Sequence, residues 1–157
     1  MNAPDGWDLP APYVDSRDVM ASDIDAYQHV NNAVYVAWLD RAAWAHSAAL
    51  GMPLSRCLAL DRGMAVLRSE IVYVRPAVLG DGVSIGTWLL PGDIRLRARR
   101  RFQVRRRSDG STLARAEVEY VCIELSSGRP ARSPPEFRTC YTPLHAVAAA
   151  ASELAPL

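Results

Sequence analysis

Between Asn31 and Gly51 the chain has helical spacing and is apolar on every side. Tyr35, Trp38, Leu39, Ala42, Ala45 and Ala49 recur at helical intervals, and Val34, Val36, Ala37, Ala43, Trp44 and Ala48 fill the faces between them. Asn31 or Asn32 offers an N-cap, Gly51 and Pro53 offer stop signals, and the spacing predicts a helix of about five turns. Asp40 and Arg41 are its only charged residues before Gly51. A helix with no wet face is central, so the rest of the chain must supply its cover.

That cover reads as sheet. Tyr13 to Val19 is a short strand, and apolar, β-rich runs follow at Met64 to Val74, Val83 to Leu90, Ile94 to Val104 and Leu113 to Leu125. Gly80-Asp81-Gly82, Pro91-Gly92-Asp93 and Ser108-Asp109-Gly110-Ser111 separate them as turns, and hairpin-type connections imply an antiparallel sheet. One long helix and about five strands make a two-layer α+β domain. With 157 residues there is room for a single domain, 1–157, with a core at about 13–138, an N-terminal arm and an Ala-rich tail that is a short helix or frayed. Met52 to Arg62 reads as irregular, and Pro130 to Pro135 ends the last strand.

Several classes are disfavoured. No apolar run is long enough to span a membrane, and the first ten residues carry Asp5 and Asp8 instead of a basic and then apolar leader, so a soluble cytoplasmic protein is expected. Cys57, Cys122 and Cys140 are odd in number and far apart, which fits neither a disulfide framework nor a metal knuckle. Gly-rich phosphate loops, Gly-x-Ser-x-Gly and His-Glu-x-x-His are absent. Net charge is +1, and the clustered arginines have no interleaved aromatic residues, which argues against nucleic acid.

The residues that carry chemistry lie just before the helix, in Asp23-Ile24-Asp25-Ala26-Tyr27-Gln28-His29-Val30-Asn31-Asn32. A carboxylate here sits upstream of helix N–H groups that have no intrahelical acceptor and carry the positive end of the dipole. Such N–H groups can hold a carbonyl oxygen as it becomes an oxyanion, while Asp25 activates water or attacks the carbonyl itself. The plainer readings stay open beside this one. Asp23 and Asp25 can be loop solvation and N-terminal charge compensation, Asn31 and Asn32 can be caps only, and His29 can be packed, can orient Asp25, or can join the aspartates on a metal. Asp40, on the helix, is a second candidate acid.

The same residues carry a resemblance. Asp-x-Asp-x-x-x-His-Val-Asn-Asn-x-x-Tyr over Asp23 to Tyr35, followed by Trp38-Leu39-Asp40, resembles the hot-dog fold acyl-CoA thioesterases of the 4-hydroxybenzoyl-CoA thioesterase type. Weaker matches follow at Tyr73-Val74-Arg75-Pro76-Ala77, Gly80-Asp81, the Arg107 to Thr112 hairpin and Gly128-Arg129-Pro130. The resemblance implies a hot-dog fold with the helix as filling, acyl-CoA hydrolysis, and Asp25 as the catalytic carboxylate. It places Asn32 where a backbone N–H polarises the thioester carbonyl, and His29 beside them. It also implies a homodimer or dimer of dimers with sites at the subunit interface, and no metal or redox cofactor. Tyr27, Asn31 and Tyr35 are then expected to touch substrate, with Trp38 and Met64 as further pocket candidates. Two rival functions are a hot-dog enoyl-CoA hydratase using Asp25 and His29, and a non-catalytic acyl-CoA or acyl-carrier binding module.

All 18 basic residues are arginine, and eight lie at positions 95, 97, 99, 100, 101, 105, 106 and 107. On a strand, Arg95, Arg97, Arg99, Arg101, Arg105 and Arg107 share one face, and Arg100 and Arg106 share the other with Leu96, Ala98, Phe102 and Val104. Arg99 and Arg101 are candidates to clamp the phosphates of coenzyme A. The alternative is a solvated strand neutralised by Glu117 and Glu119 on its hairpin partner.

Overall fold

The computed structural model describes residues 4–157. Its elements in chain order are β1 (Tyr13–Asp18), α1 (Asn32–Ala49), α2 (Leu54–Leu60), β2 (Arg62–Tyr73), β3 (Gly82–Leu90), β4 (Arg97–Arg106), β5 (Thr112–Glu124), α3 (Pro135–Cys140) and α4 (His145–Ala151). The five strands form one antiparallel sheet in the order β1-β3-β4-β5-β2. The first two strands therefore lie at opposite edges, because α1 crosses the sheet between them. Asn31 caps the helix by accepting from Ala33 N–H at 2.9 Å.

The sheet curls onto α1. Tyr35, Trp38, Leu39, Ala42 and Ala43 pack against alternate residues of β3, β4 and β5, among them Val83, Ile85, Phe102, Val104, Ala116 and Val118. Strand alternation explains the choice, since every second residue points at the helix. Beyond the C-terminal end of α1 the same layer continues as Met52, Cys57, Leu89, Cys122, Phe137 and Tyr141, brought in by α2 and α3. On the opposite face of the sheet, Leu9 and Trp7 of the arm and Val147 of α4 cover Trp88 and Leu90.

Four expectations change. Met52 to Arg62 is not irregular: Pro53 precedes the helix α2, which at seven residues is too short to show periodicity. A further short helix, α3, starts in Pro134-Pro135, where proline ends one element and opens the next. Most consequential, α1 does have an uncovered side. Ala33, Val36, Ala37, Asp40 and Trp44 form an exposed stripe in the single chain, Val36 at 48% and Trp44 at 47% exposure, because one five-stranded sheet reaches around only part of the helix. The fourth predicted strand also starts late, at Arg97, since Asp93 holds a turn by accepting from Arg95 N–H and from its guanidinium.

Candidate active site

The segment from Asp23 to Asn32 is a closed loop tied to the core at both ends. Ile24 and Val30 bridge each other, Val30 N–H donates to Ala77 C=O, and Asn31 N–H donates to Asp23 C=O. Within the loop Asp25 N–H donates to His29 C=O at 2.8 Å, and Gln28 N–H donates to Asp25 C=O at 3.0 Å. Gln28 closes the turn with φ of 62°, a left-handed conformation uncommon for a side-chain-bearing residue.

This geometry fixes the carboxylate of Asp25. One oxygen, Oδ1, accepts from Tyr27 N–H at 2.9 Å and from His29 N–H at 3.4 Å. Oδ2 has no partner among the described residues, so one oxygen anchors the group while the other is left for chemistry. Asp25 is half-buried, whereas Tyr27 beside it is 84% exposed.

The start of α1 shows which N–H is available. Asn31 N–H is used by Asp23, Ala33 N–H by the Asn31 side chain and Val34 N–H by Asn31 C=O. Asn32 N–H alone in this first turn has no acceptor among the described residues. Tyr73 at the end of β2 donates its hydroxyl to Asn32 C=O at 3.1 Å, so the sheet's edge strand fixes the same residue. Sequence reasoning gave Tyr73 no role here, because nothing local to it signals that β2 ends at the helix start.

Other expectations sort as follows. Asp23 accepts from Met20 N–H and closes the preceding turn, a structural task. His29 is exposed, and only its backbone N–H meets the Asp25 carboxylate; the imidazole makes no hydrogen bond among the described residues. Tyr35 is not a pocket wall: it is 2% exposed, and its hydroxyl accepts from Ala77 N–H at 3.0 Å behind the loop, with burial raising its pKa. Trp38 is likewise core. The arginine strand is neutralised from within: Arg97 pairs with Glu119, Arg99 with Glu117, and Arg101 with Glu117 and Asp8. Arg101 is only 3% exposed, and both Arg99 and Arg101 lie on the sheet face opposite α1, so within one chain they are not brought together with Asp25 and Asn32. Among the described residues no group of three or more His, Cys, Asp or Glu is placed to hold a metal ion. No helix of the described residues is long and apolar enough to cross a membrane.

A curled antiparallel sheet around one long helix is the hot-dog fold. The chain belongs to the thioesterase-like superfamily, whose profile matches residues 19–139. It is similar to the long-chain acyl-CoA thioesterase FadM of Escherichia coli (strain K12), 32% identical over 110 residues, which are 66% of this chain and 77% of that protein. Its fold is shared with Slr0204, a 1,4-dihydroxy-2-naphthoyl-CoA thioesterase from Synechocystis, at a TM-score of 0.74 and 19% identity, covering 83% of this chain and 96% of that one. It is also shared with SAV2348 from Staphylococcus aureus, solved in complex with CoA, at a TM-score of 0.77 and 18% identity, covering 100% and 91%.

Proposed function

We propose that the protein hydrolyses an acyl-CoA thioester to the free acid and CoA. The observation that carries this reading is the pairing of one unpartnered carboxylate oxygen, Asp25 Oδ2, with one unpartnered helix-start donor, Asn32 N–H. Asp25 takes a proton from water as that water attacks the thioester carbonyl. Asn32 N–H receives the developing oxyanion, assisted by the positive end of the α1 dipole. Collapse of the tetrahedral species expels the CoA thiolate, which takes up a proton, and leaves the free acid. Tyr27, exposed beside Asp25, and Asn31 border the space where the thioester would lie. The name of the similar E. coli enzyme supports CoA as the carrier.

A thiol-release screen over short, long, branched and aromatic acyl-CoAs tests the reaction. Asp25→Asn keeps the hydrogen bonds to Tyr27 and His29 but loses the base, so turnover should fall by at least about a hundredfold while substrate binding survives. Near-native thiol release from this variant would move the assignment to Asp40.

We further propose that the active form is at least a homodimer. The exposed stripe of α1 and the free edge of β2, whose Val66, Leu67 and Val72 are also exposed, form apolar surface beside an unpaired strand.

A further inference from the structure

Of the two arginines of β4 on the helix side, Arg106 pairs with Asp81, whereas the fold leaves the charge of Arg100 unmatched. It is 2% exposed, and no carboxylate of the described residues lies within ion-pair distance of it. Its Nη1 donates to His46 Nδ1 at 2.7 Å and its Nη2 to Ser47 Oγ at 2.8 Å, both neutral partners on α1, and the Tyr141 ring stands 5.7 Å away. Among the described residues Nη1 and Nη2 make its only hydrogen bonds, and Nε is not one of the sealed, unpartnered buried atoms. A buried guanidinium satisfied only in part and only by neutral groups is costly.

This guanidinium lines a cavity of about 90 Å³ between α1 and the sheet, together with Trp44, Met64, Val66, Tyr120 and, at the exposed margin, Asp40. The Tyr120 hydroxyl, nearly buried, also has no hydrogen-bond partner among the described residues. The cavity is therefore apolar in its walls and carries unengaged donors.

Its position along α1 gives it a relation to the proposed chemistry. Ala33, Val36, Ala37, Asp40, Trp44 and Ser47 lie on one face at helical spacing, and this stripe, the one proposed above to meet a second copy, runs from Asn32 down to the cavity, so an acyl chain along it lies between α1 and that copy. β2 runs alongside in the opposite sense, with Tyr73 at Asn32 and Val66 and Met64 at the cavity. From Asn32 to Asp40 or Trp44 is roughly 12–18 Å of helix at 1.5 Å per residue. An extended alkyl chain advances about 1.25 Å per carbon for a 1.52 Å bond and near-tetrahedral angle, so the span fits roughly ten to fourteen carbons.

We propose that the Arg100 cavity is a subsite for an oxygen acceptor, hydroxyl or carboxylate, at the far end of an acyl chain of that length. The proposal rests on the thioesterase reading for the position of the carbonyl, but the cavity itself is testable without turnover. Arg100 donates to the oxygen, Tyr120 adds its hydroxyl, and a terminal hydroxyl can also donate to Asp40.

The test is calorimetric binding of methyl dodecanoate, methyl 12-hydroxydodecanoate and monomethyl dodecanedioate to the whole protein, in which only the far end of the chain differs, alongside thiol release from the three corresponding CoA thioesters. One or both far-end-oxygenated esters should bind about tenfold or more tighter than methyl dodecanoate, the scale of one charge-assisted hydrogen bond. Arg100→Met, which replaces an unmatched buried cation by an apolar chain of similar length, should remove that preference while its melting temperature shows an intact fold. Tyr120→Phe should reduce it. A hydroxyl preferred over a carboxylate assigns Asp40 a share, and the reverse assigns the site to Arg100 alone. Equal binding of all three esters, or a preference that survives Arg100→Met, overturns the subsite even if every thioester is hydrolysed. Arg100-dependent binding without thiol release keeps the subsite and removes the proposed reaction.

Discussion

Asn31 and Asn32 are adjacent and chemically identical, yet the fold gives them opposite tasks. The Asn31 side chain supplies an acceptor to the helix start, and Asn32 leaves a donor open. Asn31→Ala should lower stability by about 1 kcal/mol, a fall in melting temperature of roughly 2–4 °C, with a larger loss of kcat if the cap also holds the proposed oxyanion donor in place. Thermal melts read together with thiol release check both parts. His46 makes a second prediction. Burial first, and the Arg100 charge second, lower its pKa to about 4 from the usual 6.5. As pH falls below about 6.5 the unfolded chain gains a proton that the folded one refuses, so this contribution to stability is full above 6.5 and declines down to about 4. Urea midpoints between pH 7 and 4.5 should fall more steeply for wild type than for His46→Gln, which keeps an acceptor but cannot titrate. At this scale the helix cap was legible in the sequence, because it works through local spacing. Tyr35 was not: its burial depends on Ala77, 42 positions away.

Among the elements, β4 was legible in its alternation but not in its electrostatics. Two-residue periodicity correctly put Arg97, Arg99 and Arg101 on one face and Arg100 on the other. What it could not give is the depth of each site, since Arg99 and Arg101 look alike on paper while the N-terminal arm lies over only the second. The difference is measurable. Arg99→Ala removes an exposed pair with Glu117 and should change stability by less than about 1 kcal/mol. Arg101→Ala leaves Glu117 short of a partner beside a mostly buried Asp8, and should cost about 2 kcal/mol, or roughly 4–8 °C of melting temperature. Neither should alter KM for acyl-CoA selectively over acyl-pantetheine. A rise in KM for the CoA substrate alone with Arg99→Ala would return that residue to phosphate binding. The short helices α2 and α3 escaped prediction for a different reason: seven and six residues are fewer than two turns, too few to reveal a face.

For the whole molecule, the α+β layering followed from one constraint, an apolar helix that needs cover, and the sheet order β1-β3-β4-β5-β2 satisfies it. The incomplete wrap did not follow, because sequence does not report how far five strands can bend around a cylinder. That shortfall motivates the expected assembly. Light scattering should give a mass of at least twice the 17.2 kDa chain at assay concentration, and a stable, active monomer would sink the proposed dimer. The opposite face of the sheet is already occupied by the chain's own ends. Asp8 N–H donates to Gln103 and the Asp8 carboxylate grips the Arg115 guanidinium, while Pro10 C=O accepts from the Trp88 indole. The partners of Asp8 lie 95 and 107 positions downstream. During synthesis this arm emerges before β4 and β5 and has nowhere to settle until both have left the ribosome. A segment made early is thus late to dock, and until it does the growing chain must tolerate an uncovered Trp88 and Leu90 on a nascent sheet.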